Sequence, residues 1–155
     1  MIKRDWEIVE VKNSKAIPIF AEIACKMKDW ESEYTYDDMI RYFEARFGLP
    51  DFKVFLETSN ILGLMAIQAI TPIAEPLLSI EILWTAPNTP GLTRTFLNQA
   101  EQQAIQWGIK KIITTIKRPA IIKKYTRSKA EDKYGFHPYG LVAVKEINGG
   151  KDNGI

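Results

Sequence analysis

The chain has 155 residues and an apolar share of 46%, enough for one continuous core and too short for two large domains. A charged fraction of 26% and a formal net charge of +2 give no general pull toward nucleic acid or a membrane surface. The one cysteine, Cys25, has no second thiol for a disulfide or a thiolate metal site, which suits a reducing, cytoplasmic setting. The opening Met1-Ile2-Lys3-Arg4-Asp5 and the mixed residues after it lack the apolar core of a signal peptide, so export by that route is not expected. The longest apolar stretch, Ile61 to Ile70, contains Gln68 and is too short to cross a bilayer of about 30 Å as a helix.

In chain order, the alternation from Trp6 to Val11 predicts a short strand. Ile17, Phe20, Ala21 and Ala24 then fall at helical spacing, with Pro18 tolerable in the first turn. Thr35 and Asp38 stand three apart ahead of Met39, Ile40, Phe43 and Phe47, the pattern of a capping box before an amphipathic helix that Gly48 and Pro50 end. Phe52 to Thr58, a tight Ser59-Asn60 connection, Ile61 to Ile70, a loop bounded by Pro72 and Pro76, and Leu77 to Thr85 predict an antiparallel meander.

Beyond Pro87-Asn88-Thr89-Pro90-Gly91, helical spacing returns at Leu92, Phe96, Ala100, Ala104 and Trp107 and stops at Gly108. Lys110 to Lys117 reads as a strand, and the intervening helix predicts a right-handed parallel crossover from Leu77 to Thr85. A last helix is expected between Pro119 and Asp132, and a last strand from Leu141 to Ile147. Residues 1–147 are expected to form a single domain, and the polar, Gly-rich residues 148–155 a flexible tail. No internal repeat is present.

Three local segments sharpen this order of elements: Leu83-Trp84-Thr85-Ala86-Pro87 at a strand end, Glu101 to Gly108 closing a helix, and Lys133-Tyr134-Gly135-Phe136. Together they resemble the fourth strand, the cofactor helix and the closing signature of the GNAT acyl-CoA N-acyltransferase superfamily. The resemblance spans nearly the whole chain and implies an α/β (α+β) fold, a mixed central sheet with helices on both faces. It implies acetyl-CoA as acyl-donor substrate and a primary amine as acceptor.

In that family the loop before the cofactor helix reads R/Q-x-x-G-x-G/A, and its exposed amides at a helix N-terminus suit a pyrophosphate. Here the segment is shorter. Gly91 can take the central glycine place and Thr93 the last small place, with Leu92 between them. The leading Arg or Gln has no counterpart, and Pro90 lacks an N–H, so Arg94 is the candidate for direct charge contact with phosphate. The alternative is a tight helix entry that binds nothing. By the same resemblance, backbone groups of Leu83, Trp84 and Thr85 would hold the pantetheine arm and polarise the thioester carbonyl.

Strand alternation puts Ser79, Glu81, Leu83 and Thr85 on one face and Leu78, Ile80, Ile82 and Trp84 on the other. Glu81 is the odd member. The resemblance makes it the candidate general base, and burial beside apolar neighbours would raise its pKa into a useful range. The competing reading is a solvent-facing or salt-bridged Glu. The family commonly protonates the departing thiolate with a Tyr before its Gly-Phe signature. An ungapped alignment puts Glu131 there, and Tyr125 serves if residues 126–131 are an insertion.

The remaining features are less specific. His137 precedes Pro138 in an expected loop with no cluster of ligands, so no metal is expected. Basic residues from Lys110 to Lys133 could meet CoA phosphates, nucleic acid or only solvent, and nucleic acid ranks last. Asp29, Glu31, Glu33, Asp37 and Asp38 gather where GNAT proteins often shape the acceptor pocket, which would suit a cationic amine. Two function classes remain. One is an N-acyltransferase. The other is a GNAT-like interaction or structural module, for example of a bacteriophage particle or as a regulator, with a protein partner or a second copy of itself.

Overall fold

The computed structural model describes residues 5–26, 34–72, 74–115, 137–139 and 142–147. The expected helix between Pro119 and Asp132, Tyr125, the Lys133-Tyr134-Gly135-Phe136 signature and residues 148–155 lie outside the described residues. The chain divides into two compact units, Met1–Gln68 with Glu81–Phe96, and Ala69–Ile80 with Leu97–Ile155.

In the first unit β1 (Ile8–Glu10), β2 (Phe52–Glu57), β3 (Gly63–Ile70) and the latter half of β4 (Leu77–Thr85) lie side by side in chain order. β1–β2 and β2–β3 are antiparallel. The register sets Val54 opposite Ala66 and Leu56 opposite Leu64. With Phe52 and Ile82, these residues pack on Ile17, Phe20, Ala21 and Ala24 of α1 (Ile17–Cys25) and Met39 and Phe43 of α2 (Tyr36–Arg46). The pleat sends Phe55 and its partner Met65, both buried, to the other face. Gly63 shares that face, and a Cβ there would lie 2.5 Å from Phe96 Cε2 of α3 (Leu92–Gln106). Helices therefore cover both faces of this part of the sheet.

Local chemistry accounts for the helix ends. α1 carries Pro18 as its second residue, where a missing N–H costs nothing, and follows a 3-10 turn over Ser14–Ala16. α2 opens on the expected capping box: Asp38 N–H donates to Thr35 Oγ1 (3.1 Å) and Thr35 N–H to Asp38 Oδ2 (2.8 Å). Just beyond α2, Gly48 takes the left-handed backbone (φ +93°).

Two strand boundaries differ from expectation. β1 is shorter than Trp6 to Val11. Val11 still donates to Val54 O (2.8 Å), while the Trp6 indole is turned to a different partner, described below. β3 starts at Gly63 rather than Ile61, because the buried Glu57 carboxylate takes the chain over. It accepts from Ser59 N–H (2.7 Å), Ser59 Oγ (2.6 Å), Asn60 N–H (3.2 Å) and Leu62 N–H (3.1 Å), and Ile61 is driven to φ +55°. The β2–β3 link is thus a carboxylate-centred loop and not a two-residue turn.

In the second unit the strand order is β4, β5 (Lys111–Thr115), β7 (Val142–Glu146), β6 (His137–Tyr139). β4 and β5 are parallel, Leu78 opposite Ile112 and Ile80 opposite Thr114. β5–β7 and β7–β6 are antiparallel, so the sheet is mixed as expected. α3 stops as its glycine predicts: Gly108 (φ +70°) donates to Ile105 O (3.1 Å) and Ile109 to Ala104 O (2.8 Å), a Schellman close. His137, expected in a loop, is a strand residue paired with Val144. Pro138 is compatible with that because β6 ends the strand order, and an edge strand can spare an N–H.

Candidate functional site

The expected base and the expected cradle both belong to the first unit, on β4 and the start of α3. Along β4, Leu78, Ser79, Ile80 and Ile82 are buried and Glu81, Leu83, Trp84 and Thr85 are half-buried. Burial keeps no strict alternation along the strand: Leu78–Ile80 are buried without a break, and Leu83–Thr85 are all half-buried.

Glu81 reaches α2, where Tyr42 Oη donates to Glu81 Oε1 at 3.4 Å. The phenol ring is fixed by edge contacts to Phe43 (centroids 5.0 Å) and Phe52 (6.1 Å). On the ring lies the Arg46 guanidinium, its Cζ 4.0 Å from the centroid, while Arg46 Nη1 donates to Tyr42 O (3.2 Å). Burial pushes the Tyr42 hydroxyl well above the ordinary tyrosine range. The Glu81 charge adds to the rise and Arg46 offsets part of it. Tyr42 is therefore a neutral donor at any physiological pH. Sequence reasoning missed Tyr42. The only signal was a hydroxyl one position from the buried Phe43.

The expected cradle is a turn with defined chemistry. Leu92 N–H donates to Thr89 O at 3.1 Å, closing Thr89-Pro90-Gly91-Leu92, and Gly91 has φ +82°. Proline in the second place and a left-handed glycine in the third are the signature of a type II β-turn. Gly91 O then accepts from Thr95 N–H (3.0 Å) and Thr95 Oγ1 (2.9 Å), which begins α3. Before the turn Asn88 is also left-handed (φ +62°), and Thr89 Oγ1 donates to Ala86 O (2.6 Å). Trp6 Nε1 donates to Pro90 O at 2.8 Å from outside the loop.

The candidate residues are thereby sorted. Leu92 has its amide committed to the turn and its side chain in the core. Thr93 is in the first turn, where its amide has no acceptor within the helix, and its hydroxyl lies 3.4 Å from that of Thr85. Arg94 is exposed one residue on. Leu83, Trp84 and Thr85 lead into this corner, and Ala86 N–H donates to Leu62 O (2.7 Å). Gly91 and Thr93 with the positive helix end fit an anionic group. Pro90 and Leu92 supply no amide to it.

Of the acidic cluster, Asp38 is engaged by Thr35 and by Arg41 Nη2 (3.2 Å), and Asp29, Glu31 and Glu33 lie outside the described residues. Among the described residues no group of three or more His, Cys, Asp or Glu could hold a metal ion, and no helix is long and apolar enough to cross a membrane.

No protein-family model matches the sequence, and no curated protein sequence matches it. Solved structures do match. A "predicted acetyltransferase with acetyl-CoA" from Clostridium acetobutylicum is 18% identical over 88% of this chain and 97% of its own, with TM-score 0.63. Aminoglycoside N-acetyltransferase AAC(6')-Iy, in complex with the bisubstrate analogue CoA-S-monomethyl-acetylneamine, is 11% identical over 81% of this chain and 89% of its own, TM-score 0.61. A transcriptional regulator from Bacillus halodurans C-125 is 14% identical over 83% and 95%, TM-score 0.63. An acetyltransferase of the GNAT family from Staphylococcus aureus MU50 is 12% identical over 92% of this chain and 99% of its own, TM-score 0.62, and with the mixed sheet and its helices these likenesses establish that the chain has the fold of the GNAT acetyltransferases.

Proposed function

We propose that the chain is an N-acyltransferase that moves an acetyl group from acetyl-CoA to a primary amine by direct attack. One observation carries the reading: on a fold shared with acetyltransferases, β4 holds a half-buried carboxylate, Glu81, and leads into a glycine-bearing turn that opens α3. Gly91, Thr93 and Arg94 would receive the pyrophosphate, with backbone groups of Leu83, Trp84 and Thr85 along the pantetheine arm. Glu81 takes the proton of the attacking ammonium or amine, and Tyr42, donating to its Oε1, keeps the carboxylate aimed. The amine nitrogen bonds to the thioester carbon, the C–S bond breaks, and the thiolate is protonated by an acid for which Tyr125 is proposed.

The test is a pair of measurements. Saturating acetyl-CoA, at about a hundredfold excess over its Kd, stabilises the folded chain by about 2.7 kcal/mol in a thermal-shift series. Glu81→Gln lowers kcat by about 10²-fold or more without changing that shift. A second reading is favoured by Pro90 and Leu92, which leave the cradle with fewer amides: a GNAT-like interaction module that does not turn over. Absence of any shift at millimolar acetyl-CoA decides for it.

A further inference from the structure

The segment before β1 crosses to a loop distant in sequence, and a bond it makes there has a geometric consequence. Trp6 Nε1 donates to Pro90 O at 2.8 Å, 84 positions along the chain, and a Cβ on Gly91 would find the same Nε1 at 3.9 Å as its nearest neighbour. Pro90 O belongs to the central peptide of the type II turn. In such a turn that peptide can flip. The flip leaves the outer bond from Leu92 N–H to Thr89 O intact and converts the turn to type I, with Gly91 passing from φ +82° to negative φ. Because the peptide is planar and trans, its carbonyl and the Gly91 N–H point in opposite directions. Whatever holds Pro90 O also aims the Gly91 amide.

We propose that Trp6 is a positioning residue that selects the type II orientation of the Pro90–Gly91 peptide. Its indole N–H gives the carbonyl a partner on one side of the turn and so directs the Gly91 N–H to the opposite side. In the flipped state the carbonyl dipole takes the place of that N–H, and an anion there meets an acceptor in place of a donor. The bearing of this on acyl-donor binding rests on the acyltransferase reading above; the assignment of the peptide's direction does not.

The test uses the full chain and two variants. Trp6→Phe keeps an aromatic ring and removes the donor. Gly91→Ala penalises positive φ at a position where the new methyl meets Trp6 Nε1 at 3.9 Å, an ordinary van der Waals contact that adds no clash of its own. In the free wild type the Gly91 amide gives one sharp NMR signal. In each variant it shifts or broadens through microsecond-to-millisecond exchange, while the amides of β2 and β3 do not move. With acetyl-CoA as the probe, each variant binds about tenfold more weakly and the double variant no more weakly than either, since both act on one flip. Trp6→Phe with an unchanged Gly91 signal overturns the proposal, as do losses of affinity that simply add. A wild type that fails to bind acetyl-CoA, with the Gly91 signal still perturbed in Trp6→Phe, upholds the role of Trp6 and removes the acyltransferase reading instead.

Discussion

Gly63→Ala sets two effects of opposite sign against each other in one side chain. In the unfolded chain alanine is less free than glycine, which favours the variant by about 0.4–1 kcal/mol, and a newly buried methyl adds about 0.8. Against this, the methyl would sit 2.5 Å from Phe96 Cε2, 3.0 Å from Leu92 Cδ2 and 3.1 Å from Phe96 Cζ. Both neighbours are fully buried, Phe96 is a stiff ring, and Leu92 is the first residue of α3, so neither can yield without moving the helix start. Overpacking usually costs about 1–3 kcal/mol, and a 2.5 Å contact puts this case at or above the top of that range. The net expectation is a loss of about 1–2 kcal/mol, a fall in melting temperature of roughly 2–8 °C. Urea unfolding followed by circular dichroism reads it as a lower midpoint at unchanged slope. Adding Phe96→Leu makes room, so the double variant is more stable than the two single losses predict. A Gly63→Ala chain as stable as the wild type would refute the close approach of α3 to β3.

Other expectations are as specific. Burial alone would raise the Glu57 carboxyl, but the hydrogen bonds from Ser59, Leu62 and Asn60 hold it down at about 2, against an ordinary 4.5. Its stabilisation is therefore complete above about pH 4.5 and is lost as pH falls through about 2. After a discount for solvent near the exposed turn, Glu57→Gln costs about 2 kcal/mol at neutral pH, and the difference from wild type vanishes in acid melts. Thr35→Ala removes half of the capping box of α2 and costs about 1 kcal/mol in the same urea assay. Tyr42 is held protonated above the tyrosine range, so its contribution to stability is present below about pH 10 and declines at higher pH. Alkaline melts of Tyr42→Phe should lack that decline. In a turnover assay the same variant should lower kcat while leaving the Kd for acetyl-CoA unchanged, since Tyr42 touches Glu81 and not the turn.

Much of the architecture was legible because it is written locally. Thr35 and Asp38 announce the start of α2, Gly108 the end of α3, and the spacing of Leu92, Phe96, Ala100 and Ala104 matches four side chains that are all fully buried. What escaped was written non-locally. Glu57 reads as one more polar residue at a strand end until its carboxylate is seen to accept from three backbone amides of the loop that follows it. His137 and Pro138 have turn-like composition, and only pairing with β7 makes them a strand. At the site, Glu81 and Gly91 were visible as an acid in an apolar strand and a glycine at a helix mouth. Their partners Tyr42 and Trp6 lie 39 and 84 residues from the atoms they contact, beyond the reach of any periodicity.

The carboxylate-centred link between β2 and β3 also bears on how this chain can be engineered. Hairpin connections are ordinarily where a tag, a fluorophore-bearing cysteine or new termini by circular permutation are accommodated. Here Ser59, Asn60 and Leu62 are spokes on the Glu57 side chain, and splitting them strands a buried anion. Grafts at that exposed-looking site should therefore fail to express, for a reason that surface accessibility alone would never disclose.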